Sequence, residues 1–196
     1  IGGVALVAAP MALAATQGPV QITDPSNAVE ITSGNSAGIF ELRTVNNGGF
    51  CTGSTQVEGY TVTGYITNVD PTTLTWDPAS GPVSPASGLA FPMVDSTGTP
   101  YVSRNTNTPD AGSATGQVLP SGALAWERFV SFGVLTPGNY RIGLACIAPD
   151  KSLDNYYETQ ITISGTPDNF TWQKPGSPVP PEVPYAVILP ATGVAA

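Results

Sequence analysis

Leu135-Thr136-Pro137-Gly138-Asn139-Tyr140-Arg141-Ile142-Gly143-Leu144-Ala145-Cys146 carries the reading of the fold. Pro137-Gly138 punctuates a turn, because proline presets its φ and glycine adopts conformations closed to other residues. Beyond it the side chains alternate. Tyr140, Ile142, Leu144 and Cys146 share one face, and Arg141, Gly143 and Ala145 share the other, the period of a strand with one buried side. After a polar loop at 148–155, Tyr157, Thr159, Ile161 and Ile163 line the next inner face. Upstream, Trp126, Val130, Phe132 and Val134 also fall together at period two, so a strand is expected over 126–134, with Arg128 breaking the pattern near its open end.

Working outward, Ala28–Thr32, Gly38–Arg43 and Val57–Val69 read as further strands, with Gly59 and Gly64 marking bends in the last. Residues 77–125 are crowded with Pro, Ser, Gly and Thr and leave room for short strands at Leu89–Val94 and Tyr101–Ser103. Phe170-Thr171-Trp172 closes the series. Composition agrees: helix formers are scarce, Thr and Val common, and only 10% of residues are charged, against 41% hydrophobic, which excludes wholesale disorder. The net charge of −8, with six basic residues, offers no patch for nucleic acid and repels anionic membrane.

The stretch from Leu135 to Ile142 resembles the tyrosine corner of fibronectin-type-III and immunoglobulin-like domains, in which a Tyr at the start of a late strand bonds its hydroxyl back across the corner between sheets. Tyr140 stands six residues before Cys146, where antibody domains have two. The resemblance covers about fifty residues and implies architecture alone. The expected fold is all-β, an immunoglobulin-like antiparallel β-sandwich over residues 15–173.

Two terminal signals concern destination. Residues 1–14 form an uncharged apolar run in which Ala12 and Ala14 fit the A-x-A rule of signal-peptide cleavage, so this segment is read as a signal-peptide remnant. At the other end, residues 174–188 include a proline-rich stretch expected to be a stiff, extended stalk. Leu189-Pro190-Ala191-Thr192-Gly193 follows, and it resembles the L-P-x-T-G sorting signal of Gram-positive cell-wall-anchored surface proteins. The resemblance implies that a sortase cleaves between Thr192 and Gly193 and joins the Thr carbonyl to cell-wall peptidoglycan or a pilin lysine. Val194-Ala195-Ala196 is read as the start of a truncated anchor span. The implied location is extracellular and wall-anchored.

In an exported chain the pair Cys51 and Cys146 is expected to form a disulfide. Catalytic equipment is thin. The chain has no histidine to activate a serine or cysteine, no S-x-x-K and no phosphate-cradling G-x-x-x-x-G-K. Asp150, Asp154 and Asn155 in one loop suggest calcium, but their spacing departs from the EF-hand, and a solvated turn is the favoured reading; no metal or cofactor is expected. Trp76 is the candidate for ligand contact, because Asp77-Pro78 breaks the strand just after it, with Tyr60 and Tyr65 as further aromatic candidates. Two functions follow: a non-enzymatic surface module for display, adhesion or structure with an unknown extracellular ligand, or a secreted carbohydrate-binding or carbohydrate-active domain. The second requires two carboxylates facing each other across an aromatic groove.

Overall fold

A computed structural model of the chain describes residues 15–106 and 116–177. The signal residues Ala12 and Ala14, the stalk beyond Ser177 and the motif Leu189–Gly193 lie outside the described residues. The elements are β1 (Ala15–Thr23), β2 (Ser33–Asn35), β3 (Ile39–Thr44), β4 (Thr61–Thr67), β5 (Thr75–Asp77), β6 (Gly81–Val83), β7 (Ala90–Pro92), β8 (Val94–Asp95), β9 (Leu124–Ala125), α1 (Glu127–Phe132), β10 (Gly138–Ile147), β11 (Leu153–Thr166) and β12 (Asn169–Gln173). Strands hold 46% of the structure and helix 8%, so the molecule is mostly β.

The alternating stretch forms the centre. β10 and β11 pair antiparallel from Gly138↔Ile163 to Ala145↔Tyr156. β4 lies along the other edge of β10, with Ile142 opposite Ile66, and β7 lies beyond β4. The free edge of β11 is shared. Its C-terminal half pairs with β12, which carries β2, and its N-terminal half pairs in parallel with the start of β1. At Gly18, whose φ of +135° is open to glycine alone, the pairing shifts register and ends with Pro19 opposite Glu158. From Val20 onward β1 pairs instead with β3, which leads to β9 and β8. β1 thus joins the two groups of strands into one ten-stranded sheet.

The main core collects the inward faces of both groups: Val20, Ile22, Phe40 and Leu42 meet Val62, Ile66, Ile142, Leu144, Ile161, Ile163, Phe170 and Trp172. Trp126 fills the middle, 4.8 Å from the ring of Phe40 and edge-on to Phe170 at 5.5 Å. The Tyr140 hydroxyl donates to the Thr136 carbonyl at 2.9 Å.

The opposite face of the large sheet is also covered. Tyr65, Leu74, Trp76, Ala90, Ala145, Ile147 and Tyr156 form a second apolar cluster under the β5–β6 hairpin. Gly143 and Ala145, expected to face outward, are therefore buried. The glycine is required: a methyl group at 143 would overlap the Tyr157 carbonyl and lie 2.9 Å from the Tyr65 hydroxyl.

Other expectations need correction. The segment expected as a strand over 126–134 is the helix α1. Trp126, Phe129 and Val130 recur at i, i+3 and i+4 and pack together against the core, while Phe132 points away. Gly133, at φ +60°, ends the helix with its N–H on the Phe129 and Val130 carbonyls. Ala28–Thr32 is not a strand. Asp24 caps a turn through Ser26, Ala28 takes φ +60°, and a single bridge joins Glu30 to Thr23. Tyr101–Ser103 forms no strand either, although Tyr101 bonds through its backbone to Met93 and Gly64.

Candidate functional site

The disulfide is formed. Cys51 and Cys146 are bonded with Cα atoms 5.4 Å apart, and both are buried. The bond ties the irregular segment after β3 to the end of β10. Side chains from β11 reinforce the tie. The Tyr157 hydroxyl accepts from Phe50 N–H at 2.8 Å and lies 2.9 Å from its carbonyl, which also accepts from Asn155 Nδ2 at 3.1 Å. Asp154 accepts from the backbone N–H and hydroxyl of Thr52 at 2.8 and 2.7 Å. Asp150 accepts from Ser152 in a turn. The acids weighed for calcium thus hold loops in place, and no group of three or more metal-ligating side chains occurs among the described residues.

Trp76 is not a platform. It is 2% exposed, stands edge-on to Tyr65 at 5.4 Å, and donates its indole N–H to the Pro71 carbonyl at 3.3 Å. Asp77-Pro78 does end β5, but the β5–β6 hairpin folds Trp76 inward onto the sheet. Tyr65 is fully buried, with its hydroxyl on Glu158 at 3.2 Å, and burial pushes that hydroxyl well above its ordinary pKa. Tyr60 is partly buried and packs against the main core.

Acids are engaged in structure. Glu158 pairs with Arg141 at 2.5 Å, Glu41 with Arg43 at 2.6 Å and Glu30 with Lys174 at 2.5 Å. Lys151 lies 3.0 Å from Asp77, and this hydrogen bond, with backbone N–H groups of Ala79 and Ser80, holds the Asp77 carboxyl down to about 2. Asp24, Glu58, Asp70, Asp95, Asp150 and Asp168 are likewise held below their ordinary values, each chiefly by hydrogen bonds from neighbouring Ser or Thr residues.

What the fold does present is an end built around α1. Three clefts meet there. The first, about 550 Å³, has Ser36, Ile39, Glu127, Val130, Asp168 and Asn169 on its walls. The second, about 390 Å³, runs between Asp95–Gly98 and the exposed side of the helix. The third, about 420 Å³, is an apolar groove of Phe91, Pro92, Pro100, Phe129 and Phe132 with Arg128 at its side. Phe132 is 67% exposed and Ile39 54%, although both are large apolar side chains. The Arg128 guanidinium lies 5.7 Å from the Phe132 ring centre and donates to the Gly98 carbonyl at 2.7 Å, which fixes it beside the ring.

Glu127 and Asp168 line the first cleft together, but the aromatic beneath them, Trp126, is fully buried and offers no stacking face. The strand reading of 126–134 concealed Phe132 by assigning it to the core face. The signal that finds it is the Trp126, Phe129, Val130 spacing before Gly133, which turns residue 132 outward. No protein-family model, curated protein or solved structure matches the chain.

Proposed function

We propose that this chain is a non-enzymatic surface module: an immunoglobulin-like β-sandwich, exported, carried on a proline-rich stalk, joined through Thr192 to cell-wall peptidoglycan by a sortase, and binding an extracellular ligand with its α1 end. The observation that carries the reading is Phe132. A large aromatic left 67% exposed, with Arg128 fixed beside it over an apolar groove, costs solubility unless a partner covers it. Export is supported by the Cys51–Cys146 disulfide, since such bonds persist in oxidising compartments, and by the terminal motifs. The sandwich reading is supported by the Tyr140–Thr136 bond and by the change of partner along β1, from β11 to β3.

The test is fractionation of cells that make the protein. The native chain is expected in the wall fraction, and Thr192→Ala in the medium or the membrane. A Thr192→Ala variant that stays covalently wall-bound overturns the anchoring reading. A carbohydrate-binding domain is the second reading, favoured by Glu127, Asp168 and Asn169 around the first cleft. Saturable binding of a neutral glycan that is lost with Asp168→Ala selects it.

A further inference from the structure

We propose that Asn47 is a site of spontaneous covalent modification, where the backbone nitrogen of Gly48 displaces the side-chain amide and leaves aspartate or isoaspartate. The site lies in Val45–Asn47, the 3-10 turn that follows β3, and is independent of the α1 end and of how the chain is displayed.

The reaction consumes water and needs no other co-reactant. Once water or hydroxide takes its proton, the Gly48 nitrogen attacks Asn47 Cγ. The N–Cγ bond forms and the Cγ–Nδ2 bond breaks. The Nδ2 group takes up a proton and leaves as ammonia, which closes a succinimide ring. Water then opens the ring at either carbonyl. Opening at Cγ leaves aspartate. Opening at the main-chain carbonyl leaves isoaspartate, in which the chain runs through the side-chain carbon. In sum one water enters and one ammonia departs, and a carboxylate is added to a chain already at −8.

Ring closure is easy only where the next residue has no side chain to crowd its nitrogen, and Asn47-Gly48 is the one Asn-Gly pair in the chain. The amide must also be unengaged. Asn27, Asn35, Asn68 and Asn139 accept hydrogen bonds through Oδ1, and Asn155 donates to the Phe50 carbonyl. The Asn47 side chain is exposed and makes no hydrogen bond among the described residues. Asn46, Asn105 and Asn169 are exposed too, but Asn47, Thr106 and Phe170 follow them and crowd the attack.

The backbone must then rotate to bring nitrogen and Cγ together, and this turn opens readily. Asn46 and Asn47 both sit in the left-handed region, at φ +55° and +52°, which side chains disfavour. The turn has no buried residue and no side-chain cap. One hydrogen bond, from Gly48 N–H to the Val45 carbonyl at 3.0 Å, holds the attacking nitrogen. The residues beyond are anchored. Gly49 N–H donates to Thr44 Oγ1 at 3.1 Å, and Cys51 is fixed by its N–H on the Gly116 carbonyl at 2.8 Å and by the disulfide. The turn therefore opens locally, without unfolding of the sheet. The product changes one contact directly. Gln117 Nε2 donates to the Asn47 carbonyl at 3.1 Å, and in isoaspartate that carbonyl becomes a free carboxylate.

Incubation of the full native chain at neutral to mildly alkaline pH, followed by reduction, tryptic digestion and mass spectrometry, tests this. The peptide 44–104 should gain about one dalton, and fragmentation should place the gain at residue 47. Labelling by an isoaspartyl methyltransferase should show isoaspartate beside aspartate, since direct hydrolysis of the amide gives aspartate alone. The native chain should react within about tenfold of the same chain unfolded in guanidinium chloride, because one hydrogen bond is the cost of opening. Gly48→Ala should slow the reaction by about tenfold or more, since a methyl group crowds the nitrogen. That variant keeps the fold, to be checked by circular dichroism, because residue 48 has φ −86° and the added carbon would lie 3.4 Å from the Val45 carbonyl oxygen. Four results overturn the proposal: aspartate without isoaspartate, a native chain slowed by more than that factor, another asparagine converted as fast as Asn47, or a Gly48→Ala variant that reacts like the native chain.

Discussion

Replacing both Cys51 and Cys146 with alanine removes a bridge that closes a loop with a sequence separation of 95. In the chain-entropy model a loop of that size constrains the unfolded state by about 4.5 kcal/mol. The native state adds little strain to offset this, because the Cα separation of 5.4 Å falls in the relaxed range for disulfides. Both half-cystines are buried, so the double alanine variant also loses a little apolar packing, and a total loss of roughly 4–6 kcal/mol is expected. Urea unfolding at pH 7, followed by tryptophan fluorescence, measures it. With a slope of about 2 kcal/mol/M, the midpoint should fall by roughly 2–3 M, and the slope should rise as the unfolded chain expands. Cys51 sits in an irregular segment also fastened by Asp154, Asn155 and Tyr157, so the native fold of the variant should survive in the absence of denaturant. A loss below about 1 kcal/mol would refute the reasoning, since it would mean that the unfolded state is already held compact around these residues.

Trp76→Ala should cost about 3–5 kcal/mol by emptying the second cluster, whereas Phe132→Ala should change stability by less than about 0.5 kcal/mol; thermal unfolding separates the two. Gly143→Ala should cost about 2–3 kcal/mol or leave the protein insoluble, because the added methyl meets the Tyr157 carbonyl; expression yield and melting temperature report it. Tyr140→Phe should cost about 1 kcal/mol, the net worth of the bond to Thr136, read as a midpoint shift in urea. The pH dependence follows from the depressed carboxyls. A carboxyl held low in the fold contributes fully above its ordinary value and loses that contribution as pH falls through its folded value, so Asp77 withdraws its share between 3.8 and about 2. The chain has no histidine, so the melting temperature should be flat from about pH 6 to 8 and fall below about pH 4; a transition near pH 6.5 would contradict this.

The sequence made the centre of the fold legible because the pattern there was redundant. Tyr140 to Cys146 and Tyr157 to Ile163 alternate with a turn before them, and β12 sits where Phe170-Thr171-Trp172 placed it. It misled where two periods overlap. Trp126, Val130, Phe132 and Val134 satisfy period two, and Trp126, Phe129 and Val130 satisfy the helical spacing. Gly133 and the core contacts of Trp126 settle the matter for the helix. β1 went unread even though Val20-Gln21-Ile22-Thr23 alternates, because it follows directly on the apolar run 1–14 and Gly18-Pro19 interrupts it. Trp76 shows a different limit. A broken strand after a tryptophan predicts a loop, but not which way the loop folds, and here it closes inward over Tyr65. The candidate surface was hidden for the same reason, since Phe132, Phe91 and Pro100 come together only through the tertiary fold.

The central claim is that this domain is displayed on a cell wall, and its most direct measurement is mass spectrometry of the protein released by enzymatic digestion of the wall. The account predicts that its C-terminal peptide ends at Thr192 and carries the mass of a peptidoglycan stem fragment in amide linkage. A wall-associated protein whose peptide runs unbroken through Thr192-Gly193-Val194 would contradict it.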